Sequence, residues 1–326
     1  MIGMSKPVLF ATGLGRPLER AENIATLYCS YQGEKVFMCS NDWNFRSEVI
    51  SGKYDLLVID VFPFVSPGKA IMVWHAIQGG KYIGLDEANT YYRPEYAKYA
   101  DAIITAGHGA IDMFHRCTHV SREKMLNIGM PRTDKYIGKQ KGDGHTVLSG
   151  KRAYLYAPTF RARGEPPLPD IDWQYINDRL SDDEVFAVKA HPYTWQMDVP
   201  DLSRVVKISG AESSSPYLYD ADVVITDYSS IMFDAYLLGK PVVLFEKNPG
   251  YITARGMYLN YPDQYSSWYT QTERDLLTWA GIAYDTGLGP IEKRCLNIVA
   301  DACDGHSCER ICQLIDRMNT PKEVNT

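Results

Sequence analysis

The chain has 326 residues, of which 45% are hydrophobic and 23% are charged, an ordinary globular composition. Its length fits two domains at roughly 150 residues each, and each half is long enough to bury a core without disulfides or structural metals. The formal net charge of −6 argues against broad nonspecific binding to nucleic acid, because an acidic surface repels the phosphate backbone.

Membrane spans, disulfides and metal sites are not predicted. No apolar run approaches the roughly 18 residues of a spanning helix, and the first residues lack a signal-peptide pattern. The seven cysteines are an odd number without a tight spacing, which fits reduced thiols in the cytoplasm. Cys303, His306, Cys308 and Cys312 match no zinc spacing, and we interpret them as scattered surface residues. We expect a cytoplasmic protein without a metal or other cofactor, and we leave peripheral contact with the inner face of the membrane open.

Short apolar runs alternate with helical patterns along the chain, which is typical of βαβ units. The strands predicted in the first half are Pro7–Ala11, Leu56–Asp60, Ala70–Trp74, Tyr82–Leu85, Ala102–Thr105 and Met125–Ile128. Those predicted in the second half are Ala153–Tyr156, Val185–Ala190, Val205–Ile208, Val223–Thr226 and Val242–Phe245. The polar stretch Gly138–Arg152 between the two series is interpreted as an interdomain linker, and a last helix is predicted over about Cys308–Met318.

The predicted fold class is α/β, with two Rossmann-like parallel-sheet domains and a cleft between them. We assign residues 1–145 to an acceptor-side domain. Residues 146–326 are assigned to a nucleotide-donor-binding domain with the C-terminal helix, whose return to the first domain is left open. Because ligands bind at the carboxyl ends of strands in open α/β sheets, the functional residues are expected just after strands.

In the first half, a histidine follows a predicted strand. His75 lies beside a glycine-bearing loop, where an imidazole suits a general base that takes a proton from a hydroxyl group; a core histidine is the alternative. The Gly13–Arg16 stretch lacks the third glycine of a dinucleotide fingerprint and is a weak signal. We interpret His108, His115 and His119 as surface residues of a helix.

Two strands of the second half end in polar residues. Arg161 follows the first of them and has a guanidinium group suited to bidentate phosphate binding. Lys189 and His191 end the second, and the period of a strand places them on one side. His191 is either a phosphate ligand or a hydrogen-bonded structural histidine.

The strongest local pattern runs from Asp222 to Phe245 and predicts a strand, a polar elbow, a helix, a glycine stop and a strand. The helix is expected to begin near Ser229 or Ser230, whose hydroxyls either cap it or help to hold a phosphate at its N-terminus. Asp234 is expected on an inward face, where a carboxylate needs a partner, with backbone N–H groups as the structural alternative.

Taken together, these stretches resemble the CDP-glycerol glycerophosphotransferase family of teichoic-acid synthesis, which is similar to GT-B glycosyltransferases in fold. The resemblance covers roughly Trp74 to Ile315 and is strongest in the second half. The matching pieces, in order, are Trp74-His75, Gly129–Asp134, Tyr156–Arg161, Lys189–Pro192, Thr226–Ser230 with Asp234, Gly239–Pro241 and Arg255-Gly256.

The resemblance implies a role for each matching residue. His75 would be the catalytic base, and His191 would act with it by contacting the donor phosphates. Ser229 and Ser230 would hold the pyrophosphate, with Arg161 as a further contact. The donor-binding set implied as a whole is Thr159, Arg161, Lys189, Pro192, Thr226, Asp227, Ser229, Ser230 and Asp234.

The function expected from this resemblance is transfer of glycerol phosphate, or a related polyol phosphate, from a CDP-linked donor to an acceptor hydroxyl, with release of CMP. The acceptor would be a hydroxyl-bearing polymer or glycan. One alternative is a GT-B glycosyltransferase with a nucleotide-sugar donor. Another is a donor-binding protein without catalysis, because Ala76 follows His75 where the family usually has glycine.

Overall fold

The computed structural model describes residues 5–13, 21–40, 42–80, 94–159, 170–191, 197–247 and 256–320. These residues form two compact units. The first is drawn from residues 1–78, 82–137 and 298–326, and the second from residues 79–81 and 138–297. Each unit holds one six-stranded parallel sheet, so the predicted pair of Rossmann-like parallel sheets is confirmed.

The first unit has six parallel strands in the order β2-β1-β3-β4-β5-β6. This is a doubly wound order, in which the order of adding strands to the sheet reverses between β1 and β3. The strands are β1 (Val8–Thr12), β2 (Lys35–Cys39), β3 (Leu56–Ile59), β4 (Lys69–Val73), β5 (Ala102–Thr105) and β6 (Met125–Asn127). β2 was not predicted, and the predicted strand Tyr82–Leu85 lies outside the described residues.

Both faces of the first sheet are covered, as expected for parallel strands that read as continuous apolar runs. One face packs against helices α1 and α9, with Phe10 and Val58 meeting Ile24 and Ile311. The opposite face, which includes Leu9, packs against the short helix α2. The helices of this unit are α1 (Glu22–Ser30), α2 (Phe45–Val49), α3 (His108–Thr118) and the C-terminal α9 (Ser307–Asn319).

The second unit has six parallel strands in the order β12-β11-β10-β7-β8-β9. Counted within the unit, this is the order 6-5-4-1-2-3, the arrangement of dinucleotide-binding sheets, with its reversal between the first and fourth strands, β7 and β10. The strands are β7 (Arg152–Tyr156), β8 (Glu184–Lys189), β9 (Val205–Ile208), β10 (Val223–Thr226), β11 (Val242–Phe245) and β12 (Trp268–Thr270). β12 was not predicted.

Helices also cover both faces of the second sheet. Trp173 of α4 and Leu276 of α7 pack with Tyr156 and Phe245 on one face. The short helices α5 and α6 contact β7, β10 and β11. The helices of this unit are α4 (Trp173–Arg179), α5 (Ser215–Asp220), α6 (Ile231–Leu237), α7 (Glu273–Thr286) and α8 (Pro290–Val299), whose last residues belong to the first unit.

Two parts of the predicted domain division differ from the structure. The C-terminal segment from Ile298 belongs to the first unit, because the apolar face of α9 completes the core of the first sheet. The predicted linker from Gly138 is part of the second unit instead of a free connection. Its backbone is bound by the buried carboxylate of Asp220, which accepts hydrogen bonds from the N–H groups of Gly142, Gly144 and Thr146 at 2.8–3.0 Å.

The described residues contain no helix long and apolar enough to cross a membrane. All seven cysteines are free thiols. Within the same ranges, no three His, Cys, Asp or Glu side chains come together as a metal site would require.

Candidate functional site

Two loops meet where the second sheet reverses its strand order. The loop after β7 includes Ala157 and Thr159, and the loop after β10 begins with Asp227. The Asp227 Oδ1 atom accepts a hydrogen bond from the Thr159 N–H at 2.8 Å and another from the Tyr228 N–H at 2.6 Å. The two loops are therefore joined at the position where dinucleotide-binding sheets hold their ligands.

A second contact joins the same loops from within the sheet. The Thr226 hydroxyl donates a hydrogen bond to the Ala157 carbonyl at 2.6 Å, and the Ala157 N–H donates to the Ile225 carbonyl at 2.8 Å. Thr226 and Asp227 are buried, so both side chains position the loops. Their predicted contact with the donor stays a prediction.

Ser229 and Ser230, in the elbow between β10 and α6, contribute little to capping the helix. Ser230 is the N-cap residue of α6, but its side chain makes no capping hydrogen bond. The Ser229 hydroxyl oxygen lies 3.4 Å from the Ile231 N–H, a long contact. Both serines are half-buried. The capping alternative therefore does not explain Ser230, and it explains Ser229 only through one long contact.

Asp234 is buried, as predicted, and so are most of the residues around it in the helix. The buried residues of α6 run consecutively from Met232 to Tyr236, while Ile231 is half-buried. The helix is therefore enclosed on most sides. It ends at Gly239, whose φ of 73° lets the Lys240 N–H reach the Ala235 carbonyl at 2.9 Å, the closure that glycine-terminated helices use.

The end of β8 carries two of the predicted residues. Lys189 is the last residue of the strand and is 4% exposed, whereas His191 follows the strand and is half-buried. Pro192 and Arg161 lie outside the described residues. Lys189 and His191 thus stand at the carboxyl end of the strand next to β7, in the second unit that also holds the elbow serines.

In the first unit, His75 follows β4 by two residues and is half-buried. Its ring lies against the buried Trp74 ring, with 4.5 Å between centroids. Ala76, which stands where the family usually has glycine, does not have a positive φ, because the non-glycine residues of the described chain that do are His119 and His145. The methyl group of Ala76 therefore brings no left-handed backbone strain to the His75 segment.

Three polar side chains to which the sequence analysis assigned no role hold this segment. The Asn23 side-chain amide donates to the Trp74 carbonyl at 2.8 Å. Arg132 Nη1 donates to the His75 carbonyl at 2.7 Å, and the Arg132 N–H donates to Asn23 Oδ1 at 3.0 Å. Gln78 Oε1 accepts from the Ala106 N–H at 3.2 Å. All three side chains are buried, and Arg132 lies within the Gly129–Asp134 piece of the family resemblance, which was a usable signal for it.

Two further carboxylates follow strands, one in each unit. In the first unit, Asp60 follows β3 and accepts a hydrogen bond from the Gly13 N–H at 2.6 Å, where the sheet order reverses. In the second unit, Glu246 follows β11 and is buried. Burial raises the pKa of Glu246 against the opposing effect of a hydrogen bond from Tyr269. The sequence analysis did not single out Glu246, although an acidic residue directly after an apolar strand was a usable signal.

Comparison with known proteins identifies relatives across most of the chain. A family model described as "CDP-Glycerol:Poly(glycerophosphate) glycerophosphotransferase" matches residues 46–316. A teichoic acid glycerol-phosphate primase of Bacillus subtilis (strain 168) is 29% identical over 67% of this chain and 60% of its own length. A teichoic acid poly(ribitol-phosphate) polymerase of Bacillus spizizenii is 26% identical over 70% of this chain and 42% of its own length. The chain thus spans about half the length of these two relatives.

Solved structures share the fold. A variant of the wall teichoic acid polymerase TagF soaked with CDPG superposes with a TM-score of 0.75 and 20% identity, covering 96% of this chain and 89% of that one. At this identity the likeness bears on the fold alone. It agrees with the two parallel sheets. The family resemblance drawn from the motifs is confirmed by the family match.

Proposed function

The chain belongs to the CDP-glycerol:poly(glycerophosphate) glycerophosphotransferase family, and from that premise we propose that it transfers a polyol phosphate from a CDP-linked donor to an acceptor hydroxyl. Glycerol phosphate is the proposed group, with other polyol phosphates as its chemical relatives. The acceptor is a hydroxyl-bearing polymer or glycan. Seven free thiols agree with a reaction carried out in the reducing cytoplasm, and contact with the inner face of the membrane is a separate part of the proposal.

The observation that carries the proposal is the joined pair of loops at the reversal of the second sheet. Asp227 fixes the Thr159 backbone, so the loops after β7 and β10 are set in place before a ligand arrives. Ser229 and Ser230 lie on the second of these loops, and their hydroxyls make at most one long capping contact with α6. A preformed polar loop at this position suits the pyrophosphate of a nucleotide donor.

Cationic groups of the same unit supply the charge that a pyrophosphate requires. Lys189 ends β8, beside β7, and His191 follows it by two residues; we assign both to the donor phosphates. Arg161 is assigned to the same phosphates as a bidentate donor, and Pro192 and Asp234 to shaping the site. Fixed positive groups of this kind stabilise negative charge that grows on the phosphates in the transition state.

The proposed reaction is an attack of the acceptor oxygen on the β-phosphorus of the donor. The new bond joins the acceptor oxygen to that phosphorus, and the bond from the β-phosphorus to the oxygen that bridges it to the α-phosphorus breaks. CMP leaves with the electron pair of that bond. His75 takes the proton of the acceptor hydroxyl as general base, with its segment held by Asn23 and Arg132.

Ligand-dependent stabilisation tests the donor assignment. We expect CDP-glycerol or CDP-ribitol to raise the Tm, CMP to do so more weakly, and UDP- and GDP-sugars to have no effect at equal concentration. A ligand at 100 times its Kd adds about 2.7 kcal/mol to the free energy of unfolding. Stabilisation by UDP- or GDP-sugars in place of the CDP-polyols would refute the proposed donor class.

A further inference from the structure

Four tyrosine rings and a carboxylate gather at the carboxyl ends of β10 and β11 in the second unit. We call Tyr228, Tyr261, Tyr265 and Tyr269 the tyrosine cluster. The ring centroid of Tyr261 lies 5.2 Å from that of Tyr228, 6.0 Å from that of Tyr265 and 6.1 Å from that of Tyr269. The carboxylate is Glu246, the residue that follows β11. Tyr261 is therefore the central ring of the cluster.

Three of the four hydroxyls have partners within the protein. The Tyr228 hydroxyl donates to Glu246 Oε1, and the Tyr269 hydroxyl donates to Glu246 Oε2 at 2.8 Å. The Tyr265 hydroxyl donates to the Gly79 carbonyl at 2.7 Å. The Tyr261 hydroxyl oxygen differs from them, because it is buried and no group in the described part of the chain forms a hydrogen bond with it.

A buried hydroxyl without a partner destabilises a protein, because it gives up its hydrogen bonds to water and gains none. Nearly all buried polar groups in native proteins are satisfied. A hydrogen-bond partner that is not part of the chain, such as a bound ligand, best explains why the buried Tyr261 hydroxyl is present among the aromatic rings. Aromatic walls with a small number of aimed polar groups are also the usual lining of a small-molecule site.

The chemistry around Tyr261 indicates which group it binds. Burial first, and then the charges of Glu246 and Asp227, raise the pKa of Tyr261, so its phenol stays protonated and donates. Each oxygen of Glu246 accepts one hydrogen bond from a tyrosine and has capacity for another. A donor next to an acceptor matches a ligand hydroxyl, which both accepts and donates.

We propose that Tyr261 and Glu246 form a binding subsite for a hydroxyl group of the donor, on its ribose or on its polyol. The inference rests on the proposed function, because it assumes that the donor lies at the loop after β10. Asp227, which begins that loop, is one of the two acidic neighbours that act on Tyr261. The subsite thus adjoins the loop assigned to the pyrophosphate.

The test is Tyr261→Phe, with Tyr236→Phe as a matched control from the same unit. The Tyr236 hydroxyl is buried and donates to the Tyr265 carbonyl at 2.7 Å, so its loss should lower the Tm by about 2–4 °C and leave the Kd for CDP-glycerol unchanged. Tyr261→Phe should keep or raise the Tm and weaken CDP-glycerol binding by about 3- to 10-fold. An equal loss of affinity for CMP assigns the subsite to the ribose, and a loss confined to CDP-glycerol assigns it to the glycerol.

Two outcomes overturn the inference and are distinguishable. If the unaltered protein binds CDP-glycerol and Tyr261→Phe binds it equally well, the subsite is wrong while the proposed function stands. A fall in Tm like that of Tyr236→Phe would then show that the hydroxyl serves the fold, for example through an ordered water. If the unaltered protein binds neither CDP-glycerol nor CMP, the proposed function fails, and the subsite fails with it.

Discussion

The Thr159 N–H donates to the Asp227 carboxylate at 2.8 Å, and this contact joins the first and fourth strands of the second sheet just beyond their carboxyl ends. The same oxygen accepts the Tyr228 N–H at 2.6 Å, so one buried carboxylate fixes both loops. The loop that carries Ser229 and Ser230 therefore begins from a defined backbone position. Preorganisation of this kind lowers the cost of ordering the site when a ligand binds.

Replacement of Ser230 separates ligand binding from helix stability. Ser230→Ala should leave the free energy of unfolding within about 0.5 kcal/mol, because the hydroxyl makes no capping bond, and should weaken CDP-glycerol binding by about 3- to 10-fold. Thr272→Ala is the control, because the Thr272 side chain does cap α7 through the Asp275 N–H. It should cost about 1 kcal/mol of stability and leave the affinity intact. The serine assignment is wrong if Ser230→Ala loses stability and keeps its affinity.

Arg132 is expected to act on catalysis through the position of His75. Arg132→Lys removes the planar donor to the His75 carbonyl, and a misplaced base should lower kcat by about 10- to 100-fold with little change in KM. Arg310→Lys is the matched control, because Arg310 also binds backbone carbonyls of the first unit, those of Ile128 at 3.0 Å and Ala302 at 2.7 Å.

Steady-state kinetics and denaturant unfolding of both variants decide the matter. Arg310→Lys should lose stability and keep kcat, since neither of its carbonyl partners is the His75 carbonyl. Equal losses of kcat in both variants would mean that Arg132 supports the fold in general and does not position His75.

Asp220 should make the stability of the second unit depend on pH. Burial opposes its ionisation, but hydrogen bonds from Thr146 and Ser149 outweigh burial and hold the pKa of the carboxyl below its usual value. A carboxyl with a depressed pKa stabilises the fold above the unfolded pKa near about 4, and this contribution is lost as the pH falls through the folded pKa.

Asp220→Asn should therefore cost about 2–3 kcal/mol at pH 7 and progressively less below about pH 4, measured by urea unfolding at each pH. Asp143 is the control: its exposed carboxylate accepts a hydrogen bond from the Gln140 N–H of the same segment. Asp143→Asn should change the free energy of unfolding by no more than about 0.5 kcal/mol at every pH. A loss for Asp220→Asn that is constant with pH would contradict the role of the charge.

The two histidines assigned to the reaction should fail in different ways. His75→Ala should lower turnover by about 10²–10⁴-fold and leave donor affinity nearly intact, because the residues assigned to the donor belong to the second unit. His191→Ala should weaken donor binding as well. If His75→Ala weakens donor binding while a bound donor still turns over normally, the base lies elsewhere, and Asp60 at the reversal point of the first sheet becomes the first candidate.

The apolar runs of the sequence were enough to predict most strands. Ala102–Thr105, Val223–Thr226 and Val242–Phe245 begin and end where they were expected, because inner parallel strands are continuous buried runs with polar residues at their ends. The edge strand Val205–Ile208 also has its predicted bounds, although two of its four residues are not buried. β2 was missed because it is an edge strand whose residues are all half-buried. β12 was missed because its three residues, with Tyr269 only half-buried and a threonine at the end, form no continuous apolar run.

Contacts between residues far apart in the sequence could not be predicted from local sequence patterns. The return of α9 to the first unit depends on Ile311 and Ile315 packing against the first sheet, and the helical period alone names no partner. The same holds for Asn23, which binds the Trp74 carbonyl across 51 positions of sequence. The assignment of the motif residues to the site stays a prediction, while the side chains that hold the His75 segment became apparent only from the hydrogen bonds.

The nucleotide released during turnover tests the central claim most directly. The protein is incubated with CDP-glycerol and a hydroxyl-bearing acceptor, such as a glycerol-phosphate oligomer on a lipid or glycan, and the released nucleotide is identified by chromatography, with His75→Ala run in parallel. Attack on the β-phosphorus predicts CMP in amounts equal to the glycerol phosphate transferred, and a loss of this product in His75→Ala. Release of CDP, the mark of attack on a carbon of the glycerol, would contradict the account, as would tight donor binding without release of any nucleotide over a broad set of acceptors.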